Sequence, residues 1–314
     1  MSFTSEVKKE ICMNELAIHC KKAQLSAFLQ MSASLNFTSE GMNITCKSEN
    51  VSSAKRIFQL VKDLYHVEIE LSIIKKVKLK KNNIYVIKIK NQALAILRDL
   101  DILGDHGLKE HPNHKMVSKE CCARAYLAGA FLASGSVNSP ITANYHLEIV
   151  ASNEELAKYI QKQMVRFRMN AKLIKRRNQY VVYIKASDQI SDFLKCVGAN
   201  DALFAFEDSR IQRDFMNNLT RLDNCELANE MKTIKTGKRQ LEDIERIDNF
   251  VGLSSLPENL YKVAMVRREH PEASLNELCE EYEKCYGEEL SKSGIRHRLN
   301  KIKDIADQYK TRVE

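Results

Sequence analysis

The pattern of apolar and polar positions predicts alternating helices and short strands over the first two thirds of the chain. In the segment 145–149 every second residue is apolar, which is typical of a strand with one buried face. Residues 123–137 instead form a largely apolar run with small residues at every fourth position, Ala125, Gly129 and Ala133. On a helix this spacing makes one stripe without bulk, along which a second helix can approach closely. The last third of the chain has helical spacing throughout.

The apolar run has a partner earlier in the chain. Residues 21–35 match it at a distance of 102 positions, which aligns Ala23 with Ala125 and Ala27 with Gly129. In both copies the run is followed by the patterns of two strands, a helix, two more strands and a further helix. We therefore predict two similar lobes that pack against each other through their small-faced helices.

The second copy of the run contains a recognisable motif. Its sequence LAGAFLASG, ending at Gly135, resembles the LAGLIDADG motif, and the αββαββα repeat resembles the fold of that endonuclease family. The resemblance implies an α+β fold whose two sheets form a saddle over DNA. It also implies a metal-binding acid at the eighth motif position, where this sequence has Ser134 and, at the aligned position, Ser32. Because a hydroxyl is a poor ligand for a hard divalent cation, we expect the scaffold without catalytic residues.

Charge and composition favour a folded protein with a polyanionic partner. The chain has 44% hydrophobic and 29% charged residues, with a net charge of +8. The opening residues lack the apolar core of a signal peptide, and no apolar run reaches the length of a membrane span. We therefore expect a cytoplasmic protein.

Cysteine and histidine positions give no sign of a metal site or of another cofactor. The nine cysteines are expected to be free thiols. Neither the pair Cys121 and Cys122 nor the pair Cys279 and Cys285 has the C-x-x-C spacing of a zinc site. The histidines of the segment 106–114 stand among glycine, proline and asparagine, so we interpret them as part of a solvated turn between the lobes.

The end of the chain predicts a helix-turn-helix. A capping box at Ser274 to Glu277 opens an acidic helix, and a helix with five basic residues and no acidic one follows. In helix-turn-helix proteins the last helix enters the major groove of DNA. We therefore predict that the helix-turn-helix spans Ser274 to about Lys303 and binds DNA through Ser291, Lys292, Ser293, Arg296, His297, Arg298, Lys301 and Lys303.

Basic residues also cluster on one hairpin of each lobe. They predict phosphate contacts by Lys76, Lys78 and Lys80 in the first lobe and by Lys175, Arg176 and Arg177 in the second. Lysines on a hairpin also protect a sheet edge in proteins that bind no DNA, so the two interpretations stay open.

The boundaries follow from these patterns. We expect a helical linker with a break at Thr236-Gly237 between the two predicted domains. The predicted ranges are 1–215 for the two-lobed domain, with lobes at about 20–104 and 118–215, then 216–256 for the linker and 257–314 for the helix-turn-helix domain.

The whole arrangement resembles the bacterial WhiA family. The likeness includes the opening SFTSEVKKE and the segment YLAGAFLASGSVNSP that begins at Tyr126. The resemblance implies a DNA-binding transcription regulator linked to cell division, chromosome segregation and, in sporulating relatives, sporulation. It implies double-stranded DNA as a partner, further contacts with transcription or cell-division proteins, and a location at the nucleoid.

Two alternatives differ in what the two-lobed domain does. It could be a protein-binding scaffold, so that the helix-turn-helix alone touches DNA. It could also be an active homing endonuclease, although the acids Glu40 and Glu148, which are near in sequence, lie on or beside hairpins. Because one chain supplies both lobes, we expect a monomer. Because no apolar run reaches the length of a membrane span, we expect no membrane partner.

Overall fold

The computed structural model describes residues 2–38, 41–75 and 83–310. The chain divides into two compact units, Met1–Arg213 and Asp214–Glu314. The first unit combines helices and sheets, and the second is helical over its described residues. Within the described ranges, no helix combines the length and the apolar character that crossing a membrane requires.

The first lobe is a four-stranded antiparallel sheet packed against helices. Its strands have the order β1-β2-β4-β3, and their alternation places Ile44, Cys46, Ile87 and Ile89 in the core. The elements, after an opening helix α1 (Phe3–Met13), are α2 (Ile18–Ser32), β1 (Ala33–Thr38), β2 (Gly41–Ser48), α3 (Val51–Tyr65), β3 (Ile69–Lys75), β4 (Asn83–Ile89) and α4 (Ala93–Asp99).

The second lobe repeats this order after a small hairpin and a short 3-10 helix. Its sheet has the equivalent strand order β7-β8-β10-β9. The predicted repeat of helix, two strands, helix, two strands and helix is therefore confirmed. The elements are β5 (Leu103–Gly104), β6 (Gly107–Leu108), the 3-10 helix His114–Val117, α5 (Glu120–Ser134), β7 (Gly135–Val137), β8 (Leu147–Ala151), α6 (Glu154–Arg166), β9 (Lys172–Arg176), β10 (Gln179–Ile184) and α7 (Ser187–Val197).

The two lobes meet where α2 crosses α5 at Gly129. A Cβ atom at this position would lie 2.1 Å from the carbonyl oxygen of Gln24 and 3.0 Å from the Cβ of Ala27. The close approach predicted from the small residues is thus confirmed. Polar contacts add to it, because the hydroxyl of Tyr126 on α5 donates to Oε1 of Gln30 on α2 over 3.0 Å.

The opening helix α1 packs on both lobes. Thr4 Oγ1 donates to the carbonyl of Val137 in the second lobe over 2.8 Å. The ammonium of Lys8 lies 5.7 Å from the ring centroid of Phe131, and burial lowers the pKa of Lys8 to about 8. Val7 and Ile11 are fully buried, so α1 is part of the core that both lobes share.

The second unit contains most of one long helix and three shorter ones. These are α8 (Asn200–Val251), which begins in the first unit, then α9 (Glu258–Glu269), α10 (Leu275–Tyr286) and α11 (Lys292–Lys310). The predicted break at Thr236-Gly237 is wrong, because α8 continues through it. Gly237 instead allows a close contact, since a Cβ there would lie 2.2 Å from the carbonyl oxygen of Pro271.

Replacing Gly129 by alanine tests the helix crossing, because the free energy of unfolding should change in opposite directions with and without the crossing. On an open helix surface, Gly129→Ala would raise the free energy of unfolding by up to about 1 kcal/mol. At the observed crossing the added Cβ meets a backbone carbonyl, so we expect a decrease of about 1–3 kcal/mol. Urea denaturation followed by circular dichroism measures the difference. An equal or higher stability of the variant would mean that the helices do not cross there.

Candidate nucleic-acid interface

The first helix of the predicted helix-turn-helix begins at the expected capping box. The backbone N–H of Glu277 donates to Ser274 Oγ over 3.3 Å, and the N–H of Ser274 donates to Glu277 Oε2 over 2.6 Å. The second of these bonds keeps the pKa of Glu277 below its usual value. The helix ends at Gly287, whose φ of 64° favours glycine. The predicted capping box is confirmed.

A buried arginine holds the turn that leads into this helix. Arg267 has 2% of its surface exposed, and its Nη1 donates to the carbonyls of His270, Pro271 and Ala273 over 3.3, 3.4 and 2.7 Å. Burial lowers the pKa of Arg267, but an arginine still carries its charge at neutral pH. The three bonds therefore fix the backbone between α9 and α10.

The last helix, α11, packs through one apolar stripe. Ser291 accepts a hydrogen bond from the backbone N–H of Gly294 over 3.2 Å, which caps the first turn. The buried residues of the stripe are Ile295, Leu299, Ile302 and Ala306. Because successive residues of a helix are rotated by about 100°, the positions between them point away from the unit.

Most of the predicted DNA-binding residues lie on this outward surface. Exposed side chains are those of Ser291, Lys292, Ser293, Arg296, His297, Lys301 and Lys303. Among the residues that the structure describes, the four cations of this set form no ion pair. Helical rotation places Ser293 and His297 opposite the buried stripe, with Arg296 on one flank and Lys301 on the other.

Arg298 behaves differently from the rest of the predicted set. Its side chain is half-buried, and its Nη1 donates to the hydroxyl of Tyr282 over 3.0 Å. The guanidinium carbon also lies 5.6 Å from the ring centroid of Tyr282. Tyr282 in turn donates to Glu288 over 3.2 Å, and Glu288 pairs with Lys262. The expectation that Arg298 is available outside is therefore not met, because it joins α11 to α10.

One exposed residue of α11 was missed in the sequence. Asn300 lies one helical turn beyond Arg296 and His297 on the outward surface. Its amide offers a donor and an acceptor side by side, which matches the edge of adenine. Charge alone drew attention to its neighbours, and helical rotation relative to the buried stripe would have included it. Asp304, also exposed, ends this surface with a negative charge.

Of the two basic hairpins, the structure describes the basic residues of the second lobe only. Lys76, Lys78 and Lys80 lie outside the described residues. In the second lobe Lys175, Arg176 and Arg177 are exposed at the end of β9 and in the turn after it. Alternation along β9 directs Lys175 and Arg176 to opposite faces of the sheet, and Lys175 lies 5.6 Å from the ring centroid of Tyr180. The three residues therefore do not form one flat basic surface.

The two serines at the degenerate metal positions use their hydroxyls within the fold. Ser32 Oγ donates to the carbonyl of Phe28, and Ser134 Oγ donates to the carbonyl of Val150, each over 2.7 Å. Glu148 on β8 contacts Ser136 Oγ over 3.4 Å and His146 Nε2 over 3.1 Å. Glu40 lies outside the described residues. Among the described residues, the hydroxyls of Ser32 and Ser134 donate to backbone carbonyls and not to a carboxylate.

A different group of side chains could hold a metal ion at the opposite ends of these helices. His19 and Cys20 lie in the first turn of α2, and Cys121 and Cys122 lie in the first turn of α5. Their potential ligand atoms all lie within 4.8 Å of one another. Cysteine spacing along the chain does not reveal this group, because it forms only when the two lobes pack together.

Comparison with known proteins gives the same family for three successive segments of the chain. Three family models match it: the WhiA N-terminal LAGLIDADG-like domain at residues 18–103, the WhiA LAGLIDADG-like domain at 123–216 and the WhiA C-terminal HTH domain at 219–306. The "Probable cell division protein WhiA" of Bacillus cereus (strain AH187) is 44% identical over 98% of this chain and 97% of its own length. The chain belongs to the WhiA family. The protein of the same description from Bacillus anthracis (strain CDC 684 / NRRL 3495) matches equally well.

Solved structures of WhiA proteins support the fold. The crystal structure of full-length DUF199/WhiA from Thermatoga maritima is 26% identical, with a TM-score of 0.61 over 98% of this chain and 99% of that one. The N-terminal LAGLIDADG domain of DUF199/WhiA is 24% identical, with a TM-score of 0.51 over 63% of this chain and 90% of that one. A two-lobed LAGLIDADG-like fold followed by a helical helix-turn-helix region, as predicted, is therefore confirmed.

Replacement of the buried arginine tests how the turn before α10 is held. Arg267→Met retains the apolar stem but leaves three carbonyls without their donor, so we expect the free energy of unfolding to fall by about 1.5–3 kcal/mol. The matched control is Arg268→Met, because Arg268 is exposed and makes a surface ion pair with Asp248. That control should cost less than about 1 kcal/mol. Equal effects in urea denaturation would contradict the structural role of Arg267.

Proposed function

We propose that this chain is a non-catalytic, sequence-specific DNA-binding protein that regulates transcription. The observation that carries the proposal is the distribution of charge in the second unit. All four cations on α9 and α10 have partners: Lys262 pairs with Glu258 and Glu288, Arg268 with Asp248, Lys284 with Glu281, and Arg267 bonds to carbonyls. The exposed cations of α11 have no such partner among the described residues, so among the three shorter helices it is α11 that presents an unneutralised basic surface.

The chemistry of that surface matches a DNA major groove. Arginine pairs with guanine through two hydrogen bonds, and asparagine does the same with adenine. In helix-turn-helix proteins the N-terminal part of the last helix contacts the bases, while residues farther along contact phosphates. We therefore assign base contacts to Arg296, with His297 and Asn300 beside it, and phosphate contacts to Lys301 and Lys303. Ser291, Lys292 and Ser293 form the leading end of the surface.

The cellular part of the proposal comes from the relatives. Two of them carry the description "Probable cell division protein WhiA" at 44% identity over nearly the full length. We propose that this chain acts in cell division and chromosome segregation, and in sporulation where the organism sporulates, by binding nucleoid DNA in the cytoplasm. Because one chain contains both lobes, no second copy is needed to build the two-lobed unit, and we propose a monomer.

We also propose that the LAGLIDADG-like unit does not cut DNA. A hard divalent cation requires carboxylate or other oxygen ligands that are free to bind it. Ser32 and Ser134 stand at the positions where the endonuclease family has its metal-binding acids, and their hydroxyls donate to backbone carbonyls. Glu148 already contacts a serine and a histidine of its own sheet.

Two substitutions on α11 should separate sequence reading from phosphate binding. Arg296→Ala should weaken binding to a specific duplex by about 1–3 kcal/mol and reduce the preference over a scrambled duplex. Lys301→Ala should weaken binding to both duplexes alike and lower the salt dependence by about one phosphate. Binding isotherms of the full chain at several salt concentrations, on an operator obtained by in vitro selection, measure both effects.

Matched variants show whether these effects belong to α11. Arg268→Ala removes an exposed cation that is already paired, so it should change neither affinity nor preference. Arg176→Ala removes an exposed hairpin cation and reports whether the first unit contacts phosphates. Loss of binding with Arg176→Ala alone would favour recognition by the sheets. An unchanged specific-to-scrambled ratio with Arg296→Ala would contradict sequence reading by α11.

The absence of cleavage is a separate prediction. Plasmid or operator DNA incubated with the purified protein and Mg²⁺ or Mn²⁺ should remain intact, because serines stand at the positions of the family's metal-binding acids and their hydroxyls donate to backbone carbonyls. A catalytically active LAGLIDADG endonuclease with its own target serves as the positive control. Cleavage that a chelator stops and that Ser134→Ala abolishes would overturn the proposal.

A further inference from the structure

The packing of α2 on α5 brings together two pairs of neighbouring residues, His19 and Cys20 with Cys121 and Cys122, that are 102 positions apart in the sequence. His19 Nδ1 lies 3.2 Å from Cys20 Sγ and 3.2 Å from Cys122 Sγ. Cys121 Sγ completes the group, in which every ligand atom is within 4.8 Å of every other. We propose that these residues form a binding site for Zn²⁺ or a similar thiophilic divalent cation, which links the two lobes.

The distances suit a tetrahedral ion. With zinc–sulfur bonds of about 2.3 Å and a zinc–nitrogen bond of about 2.0 Å, the ligand atoms of a tetrahedral site lie about 3.5–3.8 Å apart. The observed separations, from 3.2 Å up to 4.8 Å, bracket that value, so shifts of about 1 Å are enough to form the site. Three cysteines and one histidine are a usual ligand set of structural zinc sites.

The group lies at the positive ends of two helices. All four residues are in first helical turns, where the helix dipole favours negatively charged ligands. Burial raises the pKa of Cys20 and of Cys122, so a bound cation has to displace the protons of these thiols. Lys119, just before α5, adds a positive charge beside them. Three thiolates with one divalent cation leave a single negative charge, which these features offset. Three sulfurs also exclude Mg²⁺ and Ca²⁺, which prefer oxygen ligands.

Access and symmetry are consistent with a site. A cavity of about 320 Å³, lined by His19, Cys122 and residues of the segment between the lobes, opens beside the group and gives an ion a path to it. Cys20 and Cys122 are buried, while His19 and Cys121 are exposed. The repeat of 102 positions relates His19 to Cys121 and Cys20 to Cys122, so each lobe supplies two ligands from equivalent positions.

A disulfide is the competing use of these cysteines, and the histidine distinguishes the two. A bond between two sulfurs needs no imidazole, whereas His19 Nδ1 lies at the same short distance from two of the three sulfurs.

The ion would bind at the N-terminal ends of α2 and α5. The degenerate LAGLIDADG positions Ser32 and Ser134 lie at their C-terminal ends, so the site is distinct from the position that binds metal in the endonucleases.

Cobalt binding to the reduced full-length protein, produced without a histidine tag, tests the proposal. We expect one Co²⁺ per chain, with a thiolate-to-cobalt charge-transfer band in the near ultraviolet, strong ligand-field bands of tetrahedral geometry, and displacement by Zn²⁺. Cys121→Ser should reduce the charge-transfer intensity by about one third, because one of three thiolates is lost. His19→Ala should weaken binding about tenfold or more while all three thiolates remain.

His19 and Cys121 are exposed, so both variants should retain the fold. Circular dichroism checks this. Cys225→Ser, an exposed cysteine in the second unit, is the control and should bind cobalt as the wild type does. Zinc should protect Cys121 from alkylation but leave Cys225 and Cys285 reactive. It should also raise the melting temperature of the wild type but not that of His19→Ala.

The results of these measurements decide between metal binding and disulfide formation. Absence of a cobalt spectrum in the reduced wild type would overturn the proposal, as would a spectrum that Cys121→Ser and His19→Ala leave unchanged. Conversion of two of these thiols to a disulfide in air, at the same rate with and without zinc, would establish the disulfide instead. None of these measurements involves DNA, so the result stands apart from the proposed binding by α11.

Discussion

The close crossing of α2 and α5 is the contact on which the first unit depends. Gly129 meets the backbone carbonyl of Gln24 because it has no Cβ, and the side chain of Gln24 is held at 2.9 Å by Nε of Arg56. Packing at that distance buries apolar residues of both lobes in one core. The geometry at both ends of the two helices follows from this one crossing.

The two ends of the helix pair offer opposite chemistry. At the C-terminal ends, the hydroxyls of Ser32 and Ser134 donate to the backbone carbonyls of Phe28 and Val150. At the N-terminal ends, a histidine and three cysteines converge where the helix dipoles favour negative ligands. A metal ion bound by cysteine and histidine at this end would link the two lobes. In the endonuclease family the metal ions bind oxygen ligands at the opposite end, where they serve catalysis.

The second unit separates cations that hold the fold from cations that remain available. Arg267 bonds to the turn between α9 and α10, and Arg298 bonds to Tyr282, so both act within the unit. Gly237 has a related structural role, because it admits the carbonyl of Pro271 against α8. What is left on the outward side of α11 is polar or basic along its first three turns and changes sign at Asp304. A polyanion would meet a rigid, already capped helix.

The sequence by itself determined the order of elements, the repeat of 102 positions, the capping box at Ser274 and the buried stripe of α11. Each of these depends on periods of two or about 3.6 residues and on local hydrogen bonds, which are properties of neighbouring residues. Only the tertiary structure decided that Gly237 marks a contact and not a break, that Arg298 turns inward, and that His19 and Cys20 meet Cys121 and Cys122. Those outcomes depend on which helices pack together and at what distance, and residues far apart in the chain carry no local signal of it.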